Sequence, residues 1–388
     1  MPIDDHMNIT PSVWELESFY APKDVIIIGS GLVGLWSAYY LKKANPQLTV
    51  TIVESGTIPT GASTRNAGFA CFGSVTELLN DIRTMGQDKT MELVQLRYEG
   101  LRRIRKVFSK NEIGYESNGG YELITAAQYP KLKQLKNDIG LLNILLRKTI
   151  KQDKVFKLAD KKIAAFGFKN TQYLVGNRLE AQLHSGKLVT ALLQKVQGMG
   201  VQVITHCHVT SFDKQQGLVS LNTNLPVPLT AKQILVCTNG FAKQLLPAVD
   251  VLPQRGQVLV TAPLKKIPFK GCFHYDGGFY YFRNLGNRVL LGGGRNLAID
   301  EEQSSELIIT HKIQDGLEQF LKDFVLPGQQ YTIEHRWSGI MGMGKQKMPV
   351  IKEIQKNIFC CVRMSGMGVA LAPVVSNMVV KKMLESKK

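Results

Sequence analysis

The residues best placed to do chemistry begin at Gly29-Ser30-Gly31-Leu32-Val33-Gly34, with an acid, Glu54, twenty residues beyond the last glycine. Glycines at this spacing leave backbone N–H groups bare around a concave turn. Gly29 permits the tight turn, Gly31 admits a pyrophosphate against the backbone, and Gly34 lets a helix pack closely on the preceding strand. The start of such a helix adds free N–H donors and a partial positive charge. Glu54 suits both hydroxyls of an adenosine ribose and would repel a 2′-phosphate. The chemistry indicated is dinucleotide binding.

Strand, turn, helix and strand must flank these residues if they are to converge. Asp24 to Ile28 is a short apolar run, Leu35 to Lys43 reads as helix, and Leu48 to Val53 is a second apolar run ending at Glu54. A membrane span is the rival reading, because Val25 to Leu41 carries no charge over 17 residues. Gly29, Ser30, Gly31 and Gly34 interrupt it, and its length is at the short limit for a bilayer. A soluble unit is therefore expected, with no transmembrane segment.

The 388 residues, 44% hydrophobic and 20% charged, suffice for two globular domains. Asp4, Asp5, Glu15 and Glu17 fall within residues 1–20, without a basic-then-apolar pattern, so no secretory leader is expected. The six cysteines show no CxxC and no regular spacing, and read as reduced thiols of a cytoplasmic protein. Net charge is +17, and residues 101–170 hold 16 Lys and Arg against 6 Asp and Glu, a net +10. Solvated helix faces, an acidic substrate, a nucleic acid or an anionic membrane surface would each fit that excess. Phe108, Tyr115, Phe156, Phe166 and Phe168 are scattered among these cations, so stacking on nucleic-acid bases is not favoured.

Along the chain, Gly61 to Gly68 forms a second small-residue loop, and a helical pattern runs from about Val75 to Phe108. Strands are expected around Asn118-Gly119-Gly120, lysine-rich helix and loop from Tyr129 to Asp160, and an amphipathic helix from Lys187 to Met199. Val201 to Ile204 follows as a strand, and Val209 to Phe212 with Leu218 to Leu221 alternate like a hairpin. Gln233 to Cys237 reads as a buried strand, antiparallel strands fill Gln254 to Gly294, and a helix is expected from about Glu301 to Phe324. There is no internal repeat. His206 and His208 would share a strand face, but no third ligand stands at a telling spacing, so no metal site is expected. Lys345 and Lys347 flank a glycine-rich segment and read as a solvated loop, with a lid contact as the alternative.

The last segment joins the first motif to a family. Trp337-Ser338-Gly339-Ile340, Met348-Pro349-Val350-Ile351 and Ser365-Gly366-Met367-Gly368 follow in order, with Thr238-Asn239-Gly240 and Pro253 to Gln257 upstream. Together with residues 24–54 these resemble the D-amino acid oxidase family of FAD enzymes, which includes glycine oxidase, sarcosine oxidase and D-amino acid dehydrogenase. The resemblance implies an α/β protein with a glutathione-reductase-type (Rossmann-like) FAD-binding domain and an inserted antiparallel-sheet substrate domain. The implied division is residues 1–110, 180–250 and 331–388 for FAD, with 111–179 and 251–330 for substrate.

It further implies that FAD lies extended. Adenine would fall near Glu54, Ser55 and Val209, and the diphosphate near Gly29, Gly31, Leu32, Val33, Gly34, Ala62 and Ser63. The flavin would lie near Arg65, Asn66, Ala67, Gly68, Thr238 and Gly339, with Gly366, Met367, Gly368 and Val369 presenting a helix start to its C2 carbonyl. Pro373 would sit in the first turn of that helix. The implied reaction oxidises the C–N bond of a small amine or amino acid, with hydride passing to flavin N5. Tyr280 matches the family's substrate-facing tyrosine. Met341 stands where amino-acid oxidases carry a carboxylate-binding arginine, and Gly366 where glycine oxidase has another. Arg283, Arg65 or Arg288 would then have to supply any clamp. Gly339 replaces the flavin-tethering cysteine of sarcosine oxidase, implying non-covalent FAD, and Cys360-Cys361 reads as core. Leu290 replaces a lysine that promotes reaction with oxygen, tilting the reading toward a dehydrogenase. Two other readings stay open: a tRNA wobble-uridine-modifying flavoenzyme, and a flavin-binding protein without turnover. Oligomeric state is not legible.

Overall fold

The computed structural model describes residues 10–215 and 217–386; residues 1–9, part of the stretch read as free of a leader, lie outside them. Five strands form a parallel sheet in the order Gln202–Ile204, Val50–Val53, Lys23–Ile28, Leu229–Val236, Ile358–Val362, with Val350–Gln355 antiparallel at one edge. Such strands are buried on both faces, which is why they read as near-continuous apolar runs. Val25, Ile27, Leu235, Phe359 and Cys361 face the helices Leu32–Ala44, Ser185–Gly198 and Gly368–Glu385. Ile26, Ile28, Ile234, Val236 and Cys360 face the hairpin Val209–Gln215/Leu218–Thr223, which hydrogen-bonds to the first half of Leu229–Val236.

The second sheet has eight strands in the order Ile333–Met343, Leu252–Thr261, Arg288–Gly293, Tyr280–Leu285, Cys272–Tyr275, Gly120–Ile124, Tyr173–Asn177, Phe156–Leu158. Its ladders are antiparallel except Cys272–Tyr275 against Gly120–Ile124, where two distant chain segments meet in parallel. One face is an aromatic cluster: Phe273 stacks on Phe282 at 4.7 Å, and Tyr280 stacks on Phe320 of the helix His311–Phe320 at 4.7 Å. Ile333–Met343, in the segment read as part of the cofactor domain, pairs along its length with Leu252–Thr261. It is the seam through which the second sheet reaches the nucleotide end.

Several element boundaries differ from the sequence reading. The helix expected over Val75 to Phe108 is two helices, Val75–Met85 and Gln87–Val107, broken at Gly86 with φ +85°. The helix expected from Glu301 starts only at His311, because Glu302 is drawn away to a buried ion pair with Arg255 at 2.7 Å. Pro373 lies five residues beyond the start at Gly368, past the first turn, so Val369 C=O loses its helical partner there. His206 sits in a loop with φ +54°, and the strand begins at Val209, so no shared histidine face exists. Among the described residues no helix is long and apolar enough to cross a membrane. All six cysteines are free and buried.

Candidate active site

One cavity of about 680 Å³ runs from the glycine turn to the second sheet. Its narrow end is made of backbone. Gly29 takes φ +104°, and a Cβ on Gly31 would fall 3.0 Å from Ser63 Oγ. Leu35 N–H closes a turn onto Gly31 O at 3.0 Å, so the first-turn N–H groups before it have no partner within the helix. Leu32 N–H donates to Ser63 Oγ at 2.9 Å, which fixes the second loop against the first. Glu54 accepts from Ser30 N–H at 3.0 Å, Ser30 O–H at 2.6 Å and Gly56 N–H at 3.0 Å, so the acid also braces the turn it follows. Leu32, Val33, Ser55, Ala62 and Val209 line the cavity beside them.

A second helix start arrives from the far end of the chain. Gly366, Met367, Gly368 and Val369 line the cavity, and Leu371 N–H closes the first turn onto Met367 O at 3.0 Å. This helix is locked to the first by Ser376 O–H donating to Val33 O at 2.9 Å. It packs so closely on Gln87–Val107 that a Cβ on Gly100 would lie 1.7 Å from Ala370 O. The preceding turn is strained, with positive φ at Arg363 (+65°), Ser365 (+48°) and Gly366 (+78°). Asn239 holds it: its Oδ1 accepts from Arg363 N–H at 3.1 Å and Met364 N–H at 3.2 Å. Ser365 Oγ and Thr238 Oγ1, both on cavity-lining residues, are buried and have no protein partner. Two helix starts, a glycine cradle and unpartnered hydroxyls along one cavity fit an extended, diphosphate-bearing FAD.

The remaining predicted cofactor residues divide by role. Arg65, Ala67 and Gly339 line the cavity, and Arg65 donates to Thr60 O at 2.9 Å and Ser338 O at 3.0 Å. Asn66 lines it too, but its side chain ties the loop together, accepting from Gly68 N–H at 2.8 Å and Ser185 O–H at 2.7 Å. Gly34 and Gly68 do not line the cavity. A Cβ on Gly34 would meet Gly29 O at 2.0 Å and one on Gly68 would meet Leu183 O at 2.2 Å, so both act by close packing.

The wide end corrects the sequence reading of the substrate pocket. Tyr280 does not line the cavity; it stacks under Phe320, and Tyr281 faces the space instead. Side chains alternate along this strand, with Tyr281 toward the cavity and Tyr280 and Phe282 in the aromatic cluster. Burial pushes the Tyr281 hydroxyl up to about 12, leaving it a neutral donor. Arg283 is buried away from the cavity and donates to Gly68 O at 3.0 Å and Leu183 O at 2.8 Å, so it anchors a loop. Arg288 is spent on Glu334 at 3.1 Å. Met341 does line the cavity, with Cε 3.2 Å from the position a Gly256 Cβ would take and Sδ 3.5 Å from that of Gly366. Phe69 joins the wall, edge-on to Tyr281 at 5.9 Å and to His274 at 5.3 Å. Leu290 is buried beside Ala67 and Val258.

Residues far apart in sequence complete this end. Lys347 lines the cavity and pairs with Asp81 at 2.6 Å and Glu77 at 3.2 Å, overturning its reading as a solvated loop residue. Arg97 reaches Glu77 at 3.3 Å. Burial alone would raise Glu77, but Lys347 and Arg97 outweigh it and hold the carboxyl at about 2. His274 pairs with Glu180 at 3.0 Å; burial opposes its charge, yet Glu180, Glu122 and Glu77 together raise its pKa. Cys71, Glu180 and His274 bring donor atoms within 4.8 Å of one another. Burial, then Glu180, pushes the Cys71 thiol well up, which keeps it protonated beside the ion pair. Arg295, also unforeseen, enters after Gly292-Gly293-Gly294, and that glycine run was the available signal.

A glycine cradle opening into one cavity between a parallel and a mixed sheet fits a dinucleotide-binding protein. Residues 24–382 match the family model DAO, FAD dependent oxidoreductase, and the chain belongs to that family of FAD-binding flavoenzymes. It is 21% identical over 392 aligned residues to the probable oxidoreductase OrdL of Haemophilus influenzae, covering 93% of this chain and 83% of that one. In structure it is similar to L-proline dehydrogenase from P. horikoshii (TM-score 0.74, 17% identity, 94% of both chains). It is equally similar to glycine oxidase from Bacillus cereus (TM-score 0.74, 15% identity, 94% of this chain and 96% of that one).

Proposed function

We propose that this protein oxidises the C–N bond of a small amine or amino acid, with FAD as the hydride acceptor. The observation that carries the reading is the single cavity joining the backbone cradle to a pocket walled by Phe69, Tyr281 and Met341. Bound FAD would supply a two-electron acceptor at the junction of the two ends. The chain's own contribution is placement. Phe69, Val258 and Met341 exclude water, Tyr281 offers a neutral hydroxyl, and the Gly368 helix start stabilises negative charge arriving opposite it. No general base is assigned, since an amine bound in its neutral form needs orientation more than proton removal. The relatives named as L-proline dehydrogenase and glycine oxidase support the substrate class.

FAD bound without a covalent tether is the reading supported by Gly339, which offers no side chain, by Cys360 and Cys361, which do not line the cavity, and by burial, which pushes up the thiols of Cys71, Cys207 and Cys237 that do. Leu290 in an aliphatic setting favours an acceptor other than oxygen. The six buried free thiols support a cytoplasmic setting. Residues 10–110, 180–250 and 331–386 form the cofactor domain in this reading, with 111–179 and 251–330 as the substrate domain. Anaerobic addition of amino acids, N-methyl amino acids and polyamines to the yellow protein tests it. Bleaching by a member of the panel is expected; a flavin that no amine bleaches would leave a binding protein without turnover.

A further inference from the structure

Residues 101–170 hold 16 Lys and Arg against 6 Asp and Glu, and none of them lines the catalytic cavity. Part of that excess gathers in a second cleft, of about 520 Å³. Its main wall is the end of the helix Gln87–Val107. Arg102, Arg103, Arg105 and Lys106 fall there within about one turn and so share one side. Tyr115 and Leu179, from two other segments of the chain, complete the lining. Both are anchored: Tyr115 N–H donates to Lys110 O at 2.8 Å, and Leu179 N–H to Asn177 Oδ1 at 3.0 Å.

The four cations are poorly balanced. Among the described residues that line the cleft, Glu99 is the only carboxylate, and it is shared by Arg103 at 3.1 Å and Arg102 at 3.7 Å. Four cations against one carboxylate leave a net +3. The negative end of the helix accounts for a basic last turn, but it offsets only about half a charge. Burial raises the pKa of the Tyr115 hydroxyl, so that ring supplies no counter-charge.

Two of the guanidinium groups are already oriented. Arg105 lies over the Tyr115 ring at 4.5 Å, and its Nε is buried without a hydrogen-bond partner. Arg103 is fixed by Glu99 and, at 3.5 Å, by the Tyr40 hydroxyl. A fork held in place loses little freedom on binding, and its parallel donors match phosphate oxygens.

We propose that this cleft is a second ligand site, separate from the catalytic cavity, for a small anion carrying two or more linked phosphates. A lone carboxylate or orthophosphate would cancel only part of the excess, whereas linked phosphates bring a matching charge within one small molecule. The site does not depend on the amine-oxidising reading above.

The test uses the FAD-loaded protein, whose glycine cradle is occupied, titrated calorimetrically with pyrophosphate, ADP and orthophosphate. Pyrophosphate should bind once per chain and about tenfold more tightly than orthophosphate, the scale of one charge-assisted hydrogen bond. ADP should match pyrophosphate; ADP held no better than orthophosphate would overturn recognition of linked phosphates. Arg105→Gln should weaken pyrophosphate about tenfold with FAD content unchanged. The double variant Lys133→Gln/Lys136→Gln removes two exposed cations of the same basic stretch outside the cleft, and should bind like wild type. Should Arg105→Gln not fold, Arg102→Gln/Lys106→Gln, on two exposed side chains, carries the same expectation. Three results overturn the site: no saturable binding to wild type, full affinity in the cleft variants, or an equal loss in the Lys133/Lys136 variant. Attachment to phosphatidylserine vesicles without binding of either diphosphate would overturn it in favour of a membrane surface.

Discussion

The two ends of the cavity recognise by different means. At the nucleotide end the contacts come from main chain, from a glycine turn and two helix starts, and side chains such as Glu54, Ser63 and Asn66 mostly hold that main chain in shape. The wide end is lined instead by side chains from separate strands and loops, Phe69, Tyr281, Arg295, Met341 and Lys347. Main-chain recognition tolerates almost no substitution, because removing a glycine fills the site. Side-chain recognition can be rewritten one residue at a time without disturbing the frame. A family built this way keeps its cofactor and changes its substrate.

The harshest way to break the first half of that contrast is Gly31→Glu. Its Cβ would start 3.0 Å from Ser63 Oγ and its carboxylate would enter the phosphate space, so the purified protein is expected to be colourless. Full FAD content would refute the cradle. Next in size is Lys347→Met, which strands Glu77 and Asp81 beside Arg97 alone. It should cost about 2–3 kcal/mol in urea unfolding, less than a sealed pair because the Lys347 side chain is 31% exposed. A wild-type midpoint would show the network to be idle.

The pH limbs sharpen the picture further. Glu77 is depressed to about 2 from 4.5, so its contribution is complete above pH 4.5 and lost as pH falls toward 2. His274 is raised above 6.5, so its contribution is complete below pH 6.5 and lost as pH climbs through the folded-state value. His274→Gln should flatten the alkaline limb of a Tm–pH curve and spare the acid limb; an unchanged alkaline limb argues against the Glu180 pairing. The smallest expected effect separates two adjacent tyrosines. Tyr281→Phe should slow substrate reduction of the flavin by about tenfold, the lower end for losing a hydrogen bond to a buried group, whereas Tyr280→Phe should leave it unchanged. The opposite pattern would put Tyr280 back in the pocket.

What the sequence shows follows the same division. Gly29, Gly31, Gly34 and Glu54 are legible because their partners lie within one strand–turn–helix–strand unit, so spacing along the chain is spacing in space. Gly366 to Val369 is legible only through resemblance, since nothing local says that this helix start meets the other. The strand over Tyr280 to Leu285 has a legible period but an illegible phase: which face turns inward is decided by Phe320, forty residues on, stacking on Tyr280. Lys347 reads as solvated until Asp81 and Glu77 are known to lie beneath it, and Arg283 reads as a clamp until Gly68 and Leu183 claim its donors. Arg295 has only the glycine run before it as a sequence signal, and that run does not say which way the chain turns on leaving the strand.

The bond from Ser376 to Val33, with Gly100 pressed against Ala370, also sets an order of assembly. A nascent chain exposing its glycine turn and first helices still lacks half of the nucleotide wall, since residues 363–376 have yet to leave the ribosome. The complete nucleotide wall exists only once the final segment has joined the opening one, so FAD should stabilise finished molecules more than growing ones.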